Sequence, residues 1–212
     1  MIKAGLFLLC VLCVLQAGAA AAQVPSPTVT DTIVAGCQRL VHEFENCLKG
    51  GLSTAMEEGG PAFAVGVCEI TAPAAAARFS ELEGWAIRRT ARRIRNPLNA
   101  PDAFEAAALG TLASDSIAVY HAWTTDTTGQ RRFRYLSAIY HGPRCVGCHG
   151  DPKKLSGAIQ AALTELYPLD QAVGFKPGEL RGAYSVTIDW PLGRPVADSL
   201  WKAVGADTDQ ED

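Results

Sequence analysis

The chain has no excess of positive charge: its 19 lysines and arginines are outnumbered by 22 aspartates and glutamates, for a formal net charge of −3 over 212 residues. A field that seeks phosphates is missing, which argues against nucleic acid as the main partner. No internal repeat is found. Beyond the N-terminal leader there is also only one Cys-x-x-Cys pair, so a structural zinc site of four ligands lacks its other half. With 48% apolar and 19% charged residues, the length suits one core and one folded unit.

The first 22 residues read as a targeting segment. Lys3 supplies the positive end, LFLLCVLCVLQ the apolar stretch and AGAAAA the small-residue region, with Ala20 and Ala22 suiting an A-x-A cleavage site before Gln23. The competing reading is an uncleaved anchor, the one way this chain would touch a membrane. Cys10 and Cys13 form a C-V-L-C decoy inside the leader, and neither follows the small residue that a lipid-anchored start needs. A periplasmic or secreted protein is expected. Five cysteines remain, Cys37, Cys47, Cys68, Cys145 and Cys148, an odd number for an oxidising compartment where structural thiols pair.

From Thr30 to Met56, Ile33, Cys37, Leu40, Phe44 and Cys47 recur in steps of four and three, which predicts an amphipathic helix with Asp31 as N-cap and a turn at EEGGP. Cys37 and Cys47 would lie about 15 Å apart along that helix, too far to bond, and read as small core residues. A short helix over AFAVGVCEITAPAAAARFSEL carries Cys68. Ile87, Ala91, Ile94 and Leu98 fit a helical stripe, yet the same stretch tolerates a strand. DAFEAAALGTLASD reads as a helix, with Pro101 in its first turn. SIAVYHAWTT and RRFRYLSAIY, joined through DTTGQ, read as a β-hairpin. KKLSGAIQAALTELY is a helix stopped by Pro168, and GAYSVTID a final strand with Tyr184, Val186 and Ile188 on one face. The pattern is α+β with an antiparallel sheet.

Cys145, Cys148 and His149 spell C-x-x-C-H, the attachment sequence of c-type haem. Two thiols at that spacing add to the two vinyl groups on one porphyrin edge, and the following imidazole reaches the iron. The rivals are zinc, short of ligands, and a redox dithiol or plain disulfide, which would suit a site after a strand in a βαβ unit better than this Gly/Pro loop. For the second face of the iron the residues leave His42, His121, His141, Met56 and Cys68. His42 falls off the apolar stripe, His141 is tethered only four residues before Cys145, Met56 sits in a turn, and His121 shares a strand face with Val119 and Trp123. Arg88, Arg89, Arg92, Arg93 and Arg95 offer bidentate partners for two propionates, though most read as a solvated face.

Taken in order, VCEITAP, RRTARRIRNPLNAPDAFE, FRYLSAIY, CVGCHG and YPLDQAVGFKPGELRGAYSV resemble a family of exported single-haem c-type proteins with a PAS-like fold, found alone or as the sensor part of histidine kinases. The likeness runs from about Gly60 to Ile188. It implies thioether bonds at Cys145 and Cys148, His149 as proximal ligand and Cys68 as the thiolate ligand opposite. It also implies a strand for IRRTARRIR, against the helical count. Of the arginines, Arg89 and Arg95 fall in matching pieces and are the candidate propionate contacts. Arg88, where a smaller residue is expected, and Phe104, in place of a tryptophan, depart from the pattern.

The expected organisation is a leader at 1–22, an N-terminal helix at 23–59, a PAS-like domain holding one covalent haem c at 60–200 and an acidic tail at 201–212. The expected function is a redox or small-ligand sensor, with an electron-transfer cytochrome as the alternative and no enzyme activity. The redox or signalling partner is unknown.

Overall fold

The computed structural model describes residues 25–192, so the leader and the acidic tail lie outside the described residues. The order of elements is α1 (Pro27–Glu83), β1 (Ala86–Thr90), α2 (Ala103–Ser114), β2 (Val119–Thr125), β3 (Arg131–Tyr140), α3 (Val146–His149), α4 (Gly157–Leu166) and β4 (Leu180–Trp190).

The chain enters α1 earlier than the sequence suggests. The Ser26 hydroxyl, and not Asp31, caps the helix by accepting the Val29 N–H at 3.4 Å, and Pro27 occupies a position where no N–H is needed. The helix is broken once, at Gly60, whose φ of 74° and ψ of −174° are not helical. The rings of Phe44 and Phe79 are 5.5 Å apart. A straight helix would separate them by roughly 50 Å, so α1 folds back on itself as a hairpin with arms 27–59 and 61–83. The turn expected at EEGGP is this break. Its two glycines act differently: Gly60 supplies a positive φ, while a Cβ on Gly59 would collide with the Phe63 ring.

Four antiparallel strands form one sheet in the order β1-β4-β3-β2. The hairpin β2–β3 turns at Asp126 to Gln130, where Asp126 N–H donates to the Gln130 carbonyl and Gly129 takes a φ of 86°. Alternation divides the sheet. Ile87, Phe133, Tyr135, Tyr184, Val186 and Ile188 face the first arm of α1 and bury its Ile33, Cys37, Leu40 and Phe44. Leu136 and Ala183 face α2 on the opposite side. The helix-or-strand ambiguity after Gly84 resolves as a strand over Ala86–Thr90, with the chain irregular from Ala91 to Asn96. Pairing with β4 outweighs the helical spacing of Ile87 and Ala91.

Helix α2 starts at an N-cap, Asp102, with Pro101 before it and not inside the first turn. Asp102 and Glu105 form a reciprocal capping box. Glu105 is buried and also takes Arg88 and the Thr90 hydroxyl, which ties β1 to α2 and gives the unexpected Arg88 a structural partner. Phe104 packs on Tyr120 at 5.9 Å beneath the Arg134 guanidinium. A separate cluster joins Val65 of the second α1 arm to Leu155, Ile159, Leu163 and Tyr167 in and around α4, which is capped by Ser156. Among the cysteines Cys37 is fully buried as expected, whereas Cys47 is exposed, because the inward stripe runs from Phe44 to Leu48 and leaves Cys47 off it.

Replacing Gly60 with alanine forces a side chain into a positive φ and should cost about 1–2 kcal/mol. Urea denaturation checks it, with Gly50→Ala, inside the helix where a Cβ meets open space, expected to move the other way and stabilise by about 0.5–1 kcal/mol.

Candidate functional site

Chain order alone separates Cys68 from the Cys145–His149 loop by most of the sheet, and the fold returns them to one place. Cys68 sits on the second arm of α1, one helical turn from the buried Ala64 on one side and the buried Ala72 on the other. That arm packs on α4, and Cys148 packs against the same cluster through Val65 and its neighbours. Cys68 and Cys145 both act electrostatically on Cys148, so the three thiols share one locality. All three are free and half-buried, together with the free Cys37 and Cys47 elsewhere.

The attachment loop is compact. Pro143–Cys145 form one tight turn and run into the single helical turn of α3. Gly150 ends it by donating to the Val146 carbonyl, and a Cβ there would lie 2.6 Å from that oxygen. The loop then zips onto residues 170–175: the Gly174 N–H donates to the Gly150 carbonyl at 2.6 Å and the Phe175 N–H to the His149 carbonyl at 3.0 Å.

His149 is the best-defined donor. Its Nδ1 lies 2.6 Å from the Ala172 carbonyl, which can only accept, so the proton resides on Nδ1 and Nε2 keeps its lone pair. Burial chiefly, then the positive charges of Arg181 and Arg95, push its pKa down to about 2. The ring is therefore neutral at physiological pH, the form that ligates a metal, with its second nitrogen anchored to a backbone carbonyl as metal-ligating histidines require. For Cys68, burial raises the thiol pKa while Arg89 and Arg95 act to lower it.

Arg95 is bound by protein. It pairs with Asp170 at 3.0 Å and donates through Nη2 to the carbonyls of Cys148 at 2.6 Å and Ala172 at 3.3 Å. Asp170 in turn accepts the Ala172 N–H at 2.8 Å. Arg95 thus clamps the thiol loop to the segment that orients His149. Arg89 has no side-chain hydrogen bond or ion pair among the described residues. It lines an open cleft of about 180 Å³ with Phe44, Ala72, Pro73 and Ala76, on the turn of α1 that follows Cys68.

The other iron-ligand candidates fall elsewhere. His42 is exposed and bonded to Asn46, and Met56 is 41% exposed within the helix, one turn short of the break. His121 is exposed on β2, its ring 5.5 Å from that of Phe133, and so does not enter the core its strand face suggested. His141 is buried and stacked on Phe175. No group of three or more His, Cys, Asp or Glu suited to a metal ion is found among the described residues. Two residues in the motifs quoted above received no role there: Asp170, and Arg181, whose pKa is lowered to about 10, chiefly by burial and then by Arg95 and Arg89. A sequence signal existed for both, since each lies in YPLDQAVGFKPGELRGAYSV.

A family model described as Tll0287-like matches residues 19–189. The crystal structure of the cyanobacterial heme-protein Tll0287 matches with a TM-score of 0.56 and 28% sequence identity, over 80% of this chain and 99% of that one. No curated protein matches the chain at a significant level.

Asp170→Asn removes the charge that balances Arg95 at a site where both side chains are about nine-tenths buried. A loss of about 3 kcal/mol is expected. Faster hydrogen exchange at the Gly174 and Phe175 amides would accompany it.

Proposed function

The chain belongs to the Tll0287-like family, and from that premise we propose that it is an exported c-type haem protein that senses redox state or a small ligand. The observation that carries the reading is the state of His149: neutral, protonated on Nδ1 by its bond to Ala172, with a free Nε2 directly after two unpaired thiols at C-x-x-C spacing. Thioether bonds form at Cys145 and Cys148, His149 is the proximal ligand and Cys68 the ligand on the other face. One covalent haem c is held. The PAS-like description rests on the antiparallel sheet with helices on both faces, and the periplasmic or secreted location on the leader at 1–22.

The residues at the site suit the group. Cys68 sits on the arm that packs beside the thiol loop, half-buried, and Arg89 and Arg95 favour its thiolate. Metal coordination completes the deprotonation that burial opposes. Haem supplies one-electron chemistry and a position for a small ligand. A thiolate cancels the single net charge of a ferric porphyrin, so the oxidised site is comfortable in an apolar pocket. A reduced site would bury a negative charge, which sets the potential below that of His/Met ligation.

The sensor reading is favoured by where the two ligands reside. His149 is locked into the loop by Arg95 and Ala172, while Cys68 stands on a separate helical arm, so loss of the sulfur bond can be transmitted through that arm. Electron transfer is the second reading. Val146, between the attachment thiols, is 44% exposed, and an open edge there suits exchange with a redox partner. If His149 and Cys68 both held the iron, no open position would remain for a substrate until the sulfur left, which argues against an enzyme.

Protein exported with c-type maturation machinery should gain the mass of one haem, and Cys145→Ala with Cys148→Ala should lose it. Cys68→Ala should shift the visible spectrum; an unaltered spectrum removes that sulfur from the iron. Loss of sulfur ligation or tight CO binding on reduction supports the sensor, and rapid exchange with unchanged ligation supports the carrier.

A further inference from the structure

Three polar atoms near the attachment loop are buried without a hydrogen-bond partner: both ring nitrogens of His141 and Nε of Arg181. Such groups cost free energy unless something completes them. His141 is 2% exposed, its backbone tied to β4 through Glu179 and Gly178. Its ring stacks on Phe175 at 5.9 Å and 19°, and the Arg181 guanidinium lies 5.3 Å from the centre of the same phenyl ring. Both side chains therefore contact one phenyl ring.

Arg181 reaches that ring through a backbone irregularity. In the β3–β4 ladder Ile139 pairs with Gly182 and Tyr140 with Leu180, which skips Arg181. The bulge reverses the alternation, so Leu180 packs with Ala183 towards α2 and Arg181 is left for the face of Tyr184. There it acts on His149, and Cys145 acts on it. Among the described residues no carboxylate pairs with Arg181, and the one nearby acid in the cluster, Asp170, is held by Arg95. A half-buried guanidinium without a counterion, beside an imidazole without a partner, is a receptor for one carboxylate.

We propose that Arg181 and His141 together receive one haem propionate, Arg181 through its fork and His141 through a ring N–H. This rests on the haem reading above. It assigns the charge-pairing role to a residue of the β4 bulge in place of Arg95, whose guanidinium is committed to the loop.

The test is resonance Raman spectroscopy of the exported, haem-loaded full chain, reading the propionate bending band. Arg181→Lys keeps the charge and loses the fork, and His141→Phe keeps the stacking and loses the donor; each should shift the band while retaining one haem by mass. Arg93→Gln is the control, since Arg93 also covers Phe175, at 3.9 Å, but bonds to the Gln171 carbonyl. Its band should stay at the wild-type position. A wild-type band in both Arg181→Lys and His141→Phe, with haem retained, overturns the assignment and leaves the haem reading standing. A wild-type protein carrying no haem overturns that reading, and this one with it.

Discussion

The guanidinium of Arg95 locks together three parts of the chain that backbone bonds, Gln171 N–H to the Ile94 carbonyl and Gly174 N–H to the Gly150 carbonyl, bring side by side. It leaves an irregular segment after β1, pairs with Asp170 and donates to carbonyls on both sides of the site, Cys148 in the thiol loop and Ala172 in the stretch after α4. Ala172 then accepts from His149. Orientation of the imidazole, and with it the direction of the free Nε2, depends on a carbonyl whose own position depends on Arg95 and Asp170. Buried ion pairs of this kind contribute little net stability against an apolar replacement. Their value here is positional, because a planar fork fixes several oxygens at once.

The other half of the site is delivered by a helical hairpin. The first arm of α1 spends its apolar stripe on the sheet, through Ile33, Cys37, Leu40 and Phe44. The second arm can return only because Gly60 adopts a positive φ and Gly59 makes way for Phe63. Cys68 is thereby carried to the same locality as the thiol loop while remaining on a different element. His149 is in a clamped loop and Cys68 on an arm that is covalently continuous with the N-terminal helix, so under the proposed ligation events at the sulfur would have a mechanical route outward.

Positive charge at the site exceeds what the protein itself balances. Asp170 neutralises Arg95, whereas Arg89 and Arg181 have no acidic partner among the described residues, and burial with the charges of Arg95 and Arg89 lowers the pKa of Arg181. Half-buried cations in this state are costly unless an anion joins them. The two propionates of the proposed haem would meet that need with opposite charge.

Local patterns in the sequence carried the elements: the 3-4 spacing of the first arm, the EEGGP break, the DTTGQ hairpin and the alternation of Tyr184, Val186 and Ile188 are all decided within a few residues, by backbone sterics and by which face must leave water. The C-x-x-C-H spacing is likewise local, and the attachment proposed for it was read without any fold. Pairing against β4, a long-range contact, made Ala86–Thr90 a strand in spite of its helical period. The approach of Cys68 to Cys148, the capture of Arg95 by Asp170 and the turning of Arg181 at a bulge were decided only by tertiary structure. Each depends on residues dozens of positions apart being brought together by the sheet and the hairpin, and no short-range propensity encodes that distance.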